Sequence, residues 1–504
     1  MRCAVLTIAK LGVGVKGVTA DHPLAVKAGL EVLEKGGNAF DAAIAVSAVL
    51  SVVQPQMGGP GGDGFLLGFI GDDIVAYASS GRSPSGFDPE RFITEKPLKG
   101  PLTVTVPGLV YLWGVVNEEY GTLDLATLLK PAISLAYNGF HAGYTLAKAV
   151  KSVEKDLAGF KWAKYYKGIG LGSRVVNKEM ARTLRLIASR GWEEFYHGKL
   201  AEEIVDELQD QGVGIGLDDM MDHEGYRVEP LKLEVEDLVL YELPPNTQGA
   251  STLQLISALY EEGLDKLEFR DPRRVEAWSR PVEAVYAFRD EYLGDPDHMA
   301  IDVGEYLTYT RVKEMVYRGV GRPSGGGDTT FFIVSDGDSL VGFIQSLFHP
   351  FGSGLMAGGF PVQNRGIGFA RTTGLPNSPA PRKLPLHTLS ILGVSGGREK
   401  YIIGCVGGDY RPQLHLRVYE NLFVYGMDPV EAVNAPRFIY TEPRGRQEVV
   451  VEEPLKPTTP AGITVKLVEY FGSHGHVHVA VYDGVKTLLV NDPRSEGIAL
   501  ALSN

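Results

Sequence analysis

The clearest ordering of apolar and polar positions lies late in the chain. Phe331-Phe332-Ile333-Val334 and the stretch from Ser339 to Leu347 are rich in aromatic and β-branched side chains, and Ser335-Asp336-Gly337-Asp338 separates them. Such runs predict two strands, and Asp-Gly between them predicts a buried hairpin. Near the start, Asp21-His22-Pro23 opens a helix, with Asp21 as cap and proline where a missing N–H costs nothing. Leu24, Ala28 and Leu33 give it one buried face, and Gly36-Gly37 stops it. Asn38 followed by Asp41 is a capping box for a second helix. That helix is apolar on nearly all sides through Ala42-Ala43-Ile44-Ala45-Val46, which predicts a core helix ended by Pro55. Further elements follow: a strand over 66–70, helices near 108–120 and 124–138 with Gly139 as C-cap, and charged, solvated helices from 150 to 225. Then come one strand over 233–241, helices over 251–262 and 280–292, a strand over 401–406 and a helix over 412–425.

The hairpin carries the first candidate chemistry. Gly325-Gly326-Gly327-Asp328-Thr329-Thr330 leads straight into the first strand. If the chain were cut before Thr329, one residue would hold both a hydroxyl and a free α-amine, the N-terminal threonine nucleophile. The reference pKa of that amine, about 7.7–8.0, suits it to accept a proton near neutrality. The alternative is a surface loop entering an ordinary strand. Gly407 and Gly408, after the 401–406 strand, can turn backbone N–H groups toward a cavity as an oxyanion hole. Arg82 sits among small residues in Ala78-Ser79-Ser80-Gly81-Arg82-Ser83-Pro84, where a guanidinium can grip a carboxylate or simply face solvent. The glycine loop Met57–Gly64 precedes a strand, the wrong order for a dinucleotide site, so its backbone is expected to pass close to packing or substrate. His474, His476 and His478 alternate on one strand face, but no acid or cysteine near them in sequence completes a ligand set, so no metal and no cofactor are expected.

Composition narrows the picture further. The 504 residues carry a net charge of −13, and the 44% hydrophobic and 22% charged balance is that of a globular chain of two to four domains' length. The acidic balance argues against a nucleic-acid partner. Two cysteines, Cys3 and Cys405, suggest no disulfide framework. The longest apolar run, Ala42 to Val53, is too short to cross a bilayer, and the first ten residues lack a convincing leader, so no membrane partner and a cytoplasmic location are expected.

With these pieces in place, the chain resembles the γ-glutamyltranspeptidase family of N-terminal-nucleophile hydrolases, almost end to end. The matching motifs are Asp21-His22-Pro23-Leu24-Ala25, Gly36 to Ala43, Gly61-Gly62-Asp63-Gly64-Phe65, Val106-Pro107-Gly108, Tyr241 to Pro245, Asn434 to Phe438 and Asp492-Pro493-Arg494. The resemblance implies an α+β fold, a four-layer αββα sandwich with an added helical region. It also implies autocatalytic cleavage between Asp328 and Thr329. Residues 1–328 would be the large segment and 329–504 the small one, together one αββα unit, a heterodimer of its own cleavage products able to pair further. It places the nucleophile on Thr329, a supporting hydroxyl on Ser346, the carboxylate-gripping arginine on Arg82, and the oxyanion glycines on Gly407 and Gly408. A carboxylate-touching pair falls on His387 and Thr388, so only the Thr388 hydroxyl is kept.

The departures from the family decide the substrate reading. Phe331 stands where transpeptidases carry a histidine. The positions that hold a γ-glutamyl ammonium fall on Phe348, Arg365 and Gly368, and an ammonium facing Arg365 would be repelled. Gln363-Asn364-Arg365-Gly366 is instead similar to the acylase and amidohydrolase-like branch, which places Asn364 and Arg365 among the substrate-binding residues. The expected activity is therefore hydrolysis of a small-molecule amide whose acyl part carries a carboxylate. The alternatives are a γ-glutamyl hydrolase or transpeptidase acting on glutathione, and an uncleaved, inactive member of the family.

Overall fold

The computed structural model describes residues 8–316, 328–458, 461–472 and 475–503. Gly325 to Gly327, Cys3 and His474 lie outside the described residues, as does the side chain of Asp328. The predicted hairpin forms as Asp328–Ser335 and Ser339–Phe348, with Phe331 opposite Ile344 and Val334 opposite Val341. It is the centre of a seven-stranded antiparallel sheet in the order Ile498–Leu502, Lys16–Ala20, Asp328–Ser335, Ser339–Phe348, Asp63–Ile70, Asp73–Ser79, Tyr226–Arg227. All ten residues of Ser339–Phe348 are buried, as expected of a strand covered on both faces.

A second seven-stranded sheet runs Lys10–Gly14, Thr487–Asn491, His476–Tyr482, Glu399–Val406, Leu392–Gly396, Leu238–Glu242, Leu231–Val235. The two sheets pack face to face through Phe65, Leu67, Phe331, Ile333, Ile391 and Ile402. Side chains alternating with these, such as Phe332, Val334 and Phe343, pack outward against Pro23–Glu34, Ala39–Val53 and Leu109–Tyr120. The outer face of the second sheet, including Leu240, Ile403 and Val479, is covered by Gly249–Glu261, Arg274–Tyr292 and Arg411–Tyr419. The result is the expected helix–sheet–sheet–helix sandwich, with an added lobe of helices between residues 144 and 221. Each sheet draws strands from both sides of the Asp328–Thr329 bond.

Close approach of the sheets is local and specific. A Cβ built on Gly404 would lie 2.3 Å from the Phe331 ring, so the aromatic side chain occupies the space that any larger residue at 404 would need. Ala39–Val53 is buried along its whole length, and its Asn38/Asp41 capping box is present.

Three local expectations change. The helix at Pro23–Glu34 is capped by His22, whose Nδ1 accepts from Leu24 N–H at 3.2 Å, and not by Asp21. The stretch 233–241 is two strands joined at Glu236-Asp237, where Glu236 turns to φ 52°. Its alternation of apolar and polar residues runs through the turn and hides it. The helix expected to Tyr425 is α-helical only over Arg411–Tyr419, and Glu420–Val424 form one wider π-type turn.

The helix after the glycine pair is anchored by a buried pair. His415 Nδ1 lies 3.0 Å from Glu242 Oε1, and both side chains are inaccessible. Burial opposes charge on His415, but Cys405 and Glu242 outweigh it and hold its pKa up at about 9. A group raised above its unfolded value near 6.5 stabilises fully below that pH and loses its contribution as pH rises through about 9. The melting temperature is therefore expected to fall between pH 6.5 and 9.5, and scanning calorimetry should show that slope reduced in Glu242→Gln, which removes one of the two groups that raise His415.

Candidate functional site

Thr329 is 1% exposed and sits at a register irregularity where the hairpin pairing steps from Asp328–Phe348 to Thr330–Gln345. Ser346 and Leu347 thus face a single residue, a β-bulge that re-aims the side chains beside it. Thr329 Oγ1 donates to Ser346 Oγ at 3.2 Å, and the same oxygen accepts from Phe348 N–H at 2.8 Å. The neighbouring threonine is placed differently. Thr330 lies opposite Gln345, whose side chain bonds Ser47 of the core helix, and its hydroxyl is buried without a hydrogen-bond partner among the described residues. The structure therefore separates the two threonines, and only Thr329 is held by a second hydroxyl.

Across the sheet, Ser346 pairs with Asp63. Asp63 Oδ1 accepts from Gln363 Nε2 at 2.9 Å and from the N–H groups of Gly81 and Gly108 at 3.2 Å. Its other oxygen meets His387 Nε2 at 3.1 Å. His387 Nδ1 faces Arg365 Nη1 at 3.2 Å and Leu389 N–H at 3.4 Å, both donors. The ring is therefore a neutral imidazole that donates from Nε2 to Asp63 and accepts at Nδ1. Burial, and then Arg365 and Arg411, press the His387 pKa well below its ordinary value, and burial pushes Asp63 up to about 7.

Arg365 is fully buried. Its guanidinium lies 3.7 Å from the centroid of the Phe348 ring and 3.4 Å from Thr388 Oγ1. Phe348 adopts φ 77°, an uncommon backbone region for a large side chain. Two of the three positions where the chain departs from the ammonium-holding pattern are thus in direct cation–π contact.

Gly407 and Gly408 end the strand Glu399–Val406, and Gly408 has φ 53°, a left-handed value that suits glycine. Neither N–H donates to a protein acceptor among the described residues. Gln248 Nε2 donates to the Thr388 and Gly408 carbonyls, both at 2.9 Å, and Arg289 holds the Gln248 Oε1 at 2.9 Å. Arg411 also donates to the Thr388 carbonyl. One continuous set of contacts therefore runs from Thr329 through Ser346, Asp63, His387, Arg365, Thr388 and Gln248 to Gly408. Asp63 lies inside the glycine motif Gly61 to Phe65, and Gln248 stands just before the helix Gly249–Glu261. Their polar side chains between glycines and small residues were the available signal.

Three expectations meet partners within the protein that the sequence did not show. Arg82 is 40% exposed, and its guanidinium pairs at 2.8 Å with both Asp295 and Asp297, so it is already neutralised by the protein's own carboxylates. Those acids lie more than 200 residues away in sequence. Asn364 is buried with both side-chain atoms engaged by main chain: Oδ1 accepts from His349 N–H at 3.1 Å and Nδ2 donates to Leu98 O at 2.9 Å. It ties the turn after Phe348 to Leu98. The premise that no acid approaches the alternating histidines also fails. Asp21, released from capping, reaches His476 Nε2 at 2.7 Å and His478 Nε2 at 3.0 Å.

A cleft of about 850 Å³ opens beside Gly407, walled also by Met57, Lys148, His476, Arg494 and Glu496. It is large enough for a small-molecule substrate.

Comparison with known proteins agrees with this architecture. A family model described as Gamma-glutamyltranspeptidase matches residues 25–502. A Bacillus subtilis protein, the glutathione hydrolase-like YwrD proenzyme, is 35% identical over 85% of this chain and 86% of its own length. The oxamate amidohydrolase proenzyme of Klebsiella pneumoniae is 33% identical over 83% of this chain and 84% of its own. The crystal structure of cephalosporin acylase from Bacillus halodurans superposes with a TM-score of 0.85 at 27% identity, covering 100% of this chain and 98% of that one.

Removing the Ser346 hydroxyl leaves Thr329 Oγ1 and Phe348 N–H without their shared partner. Ser346→Ala is expected to slow turnover by roughly 10–100-fold, as loss of a positioned proton-handling contact does, with KM changed far less. Steady-state kinetics on a chromogenic amide, with circular dichroism to check folding, measures both.

Proposed function

The chain belongs to the gamma-glutamyltranspeptidase family, and from that premise we propose that it is an amide hydrolase whose nucleophile is Thr329, exposed by scission after Asp328. The cut leaves pieces of 328 and 176 residues out of 504. Thr329 Oγ attacks the amide carbonyl while its own α-amine takes the proton. The N–H groups of Gly407 and Gly408 receive the oxyanion, a donor of this type being worth about 2.7–4 kcal/mol in other hydrolases. The amine leaves with a proton, an acyl-enzyme forms, and water releases the acid. The observation that carries the reading is the Thr329–Ser346 hydrogen bond, made by one threonine of the pair and not by the other.

We further assign the acyl part a carboxylate directed at Arg365. The guanidinium, stacked on Phe348 and backed by His387, favours an anion and disfavours an α-ammonium. Arg82, tied to Asp295 and Asp297, has no part in this grip. The name of the Klebsiella relative points the same way, since oxamate is an amide whose acyl end is a carboxylate. The name of the Bacillus subtilis relative, glutathione hydrolase-like, favours a second reading in which γ-glutamyl amides are the substrates.

Two measurements test the proposal. Mass spectrometry of the purified chain is expected to find an amino terminus at Thr329, and Thr329→Ala to remain a single band and show no turnover. In a panel of oxamyl, glutaryl and γ-glutamyl anilides, kcat/KM is expected to favour the two acyl groups that lack an ammonium by at least about tenfold, a difference of roughly 1.4 kcal/mol. A preference for γ-glutamyl anilide would replace the first reading with the second.

A further inference from the structure

Outside the contact set around Thr329, one cluster joins the two sheets at their open end. The strand Lys16–Ala20 of the hairpin sheet delivers Asp21, and the strand His476–Tyr482 of the other sheet delivers His476 and His478 on one face. Both imidazoles aim Nε2 at the same carboxylate oxygen, Asp21 Oδ1. One ligand atom from each of the three residues lies within 4.8 Å of the others. Asp21 is 2% exposed, and its second oxygen, Oδ2, is buried without a hydrogen-bond partner among the described residues. An unsatisfied carboxylate oxygen in such a place is costly unless a cation or a donor meets it.

The far side of His478 adds a second constraint. Its Nδ1 lies 3.0 Å from Thr19 Oγ1 and 3.2 Å from the Asn491 amide. That amide is satisfied when its nitrogen donates to Gly497 O, Ser495 Oγ and Asp492 O, and its oxygen then accepts from His478 Nδ1–H. With the proton on Nδ1, a neutral His478 turns the lone pair of Nε2 toward Asp21 Oδ1, acceptor against acceptor. A cation between the two removes the conflict. A ring nitrogen fixed by its outer hydrogen bond in this way is the usual support of a metal-bound histidine.

We propose that Asp21, His476 and His478 form a binding site for a divalent transition-metal ion of the zinc type, with its open coordination position facing the cleft beside Gly407. Two imidazoles and one carboxylate suit zinc and its neighbours in the series. Bonds of about 2.0–2.1 Å in a tetrahedral shell place ligand atoms roughly 3.3 Å apart, so the two Asp21–histidine spacings of 2.7 and 3.0 Å open by only a few tenths of an ångström, and the two imidazole nitrogens already lie within 4.8 Å of each other. His478 closes the inner side of the site and is inaccessible, whereas the His476 side chain is 15% exposed and lines the cleft. A water or an anionic group of a molecule in the cleft completes the shell. The site ties a residue of one sheet to two of the other and needs no step of the Thr329 chemistry.

The test uses the full chain, stripped by chelation and titrated with Co²⁺. Expected is one cobalt per chain with the visible absorption of a low-coordinate ion, displaced by Zn²⁺, and equal binding in Thr329→Ala. His476→Asn, at the open side of the site, is expected to weaken binding at least about 100-fold. His141→Asn, at an exposed histidine far along the chain, is expected to leave it unchanged. Absence of a stoichiometric band, or an unaltered band in His476→Asn, overturns the site. Should that variant fail to fold, X-ray absorption of the zinc-loaded wild type decides. Two imidazoles with oxygen at about 2.0–2.1 Å support the assignment, and an oxygen-only or sulfur-containing shell overturns it.

Discussion

The packing of Phe331 on Gly404 sets the geometry on which the rest depends. Stacked sheets ordinarily stand about 10 Å apart, with side chains of both filling the gap. Here an aromatic ring from the hairpin strand fills the position a side chain at 404 would take. The strand Asp328–Ser335, which carries Thr329, is thereby held against the strand Glu399–Val406, which leads into Gly407 and Gly408. The ring leans edge-on toward His478, 5.9 Å between centroids. A polar ring in that gap would need hydrogen-bond partners on a face made of Ile333, Ile402 and Ala480, and phenylalanine needs none.

The polar groups around this apolar contact are arranged so that few charges are left facing low dielectric. Asp63 and Arg365 stand on either side of a neutral His387, which bonds to both. Taking one member away strands the other two, and breaking such an arrangement costs far more than it contributes as a whole. This is a physical reason for an acid inside the glycine motif Gly61 to Phe65. The glycines let backbone approach Ser346 and Pro361 closely, and the acid accepts from the N–H groups of Gly81 and Gly108, the latter shared with the Gly62 carbonyl.

The hairpin and the core helix were legible in the sequence because their signals are local: an apolar run on each side of Asp-Gly, and a capping box before a helix with no polar face. The glycine pair and Thr329 were legible as types of residue in types of place. At Arg82 and Asn364 a guanidinium and an amide show their capacity in the sequence and their commitments only in three dimensions. Asp295, Asp297, His349 and Leu98 supply those commitments. Asp21 was misread for a sharper reason. Two residues before a helix can cap it, His22 does so, and the stronger candidate by type is released to reach a strand more than 450 residues away. The turn at Glu236-Asp237 carried no glycine and no break in alternation, so nothing local marked it.

The interleaving of strands from either side of the Asp328–Thr329 bond has a consequence for what scission can do. A cut there opens the polymer without dividing the object. Neither fragment owns either seven-stranded sheet whole, so parting them means dismantling both layers together. The only freedom gained is that of the two new chain ends.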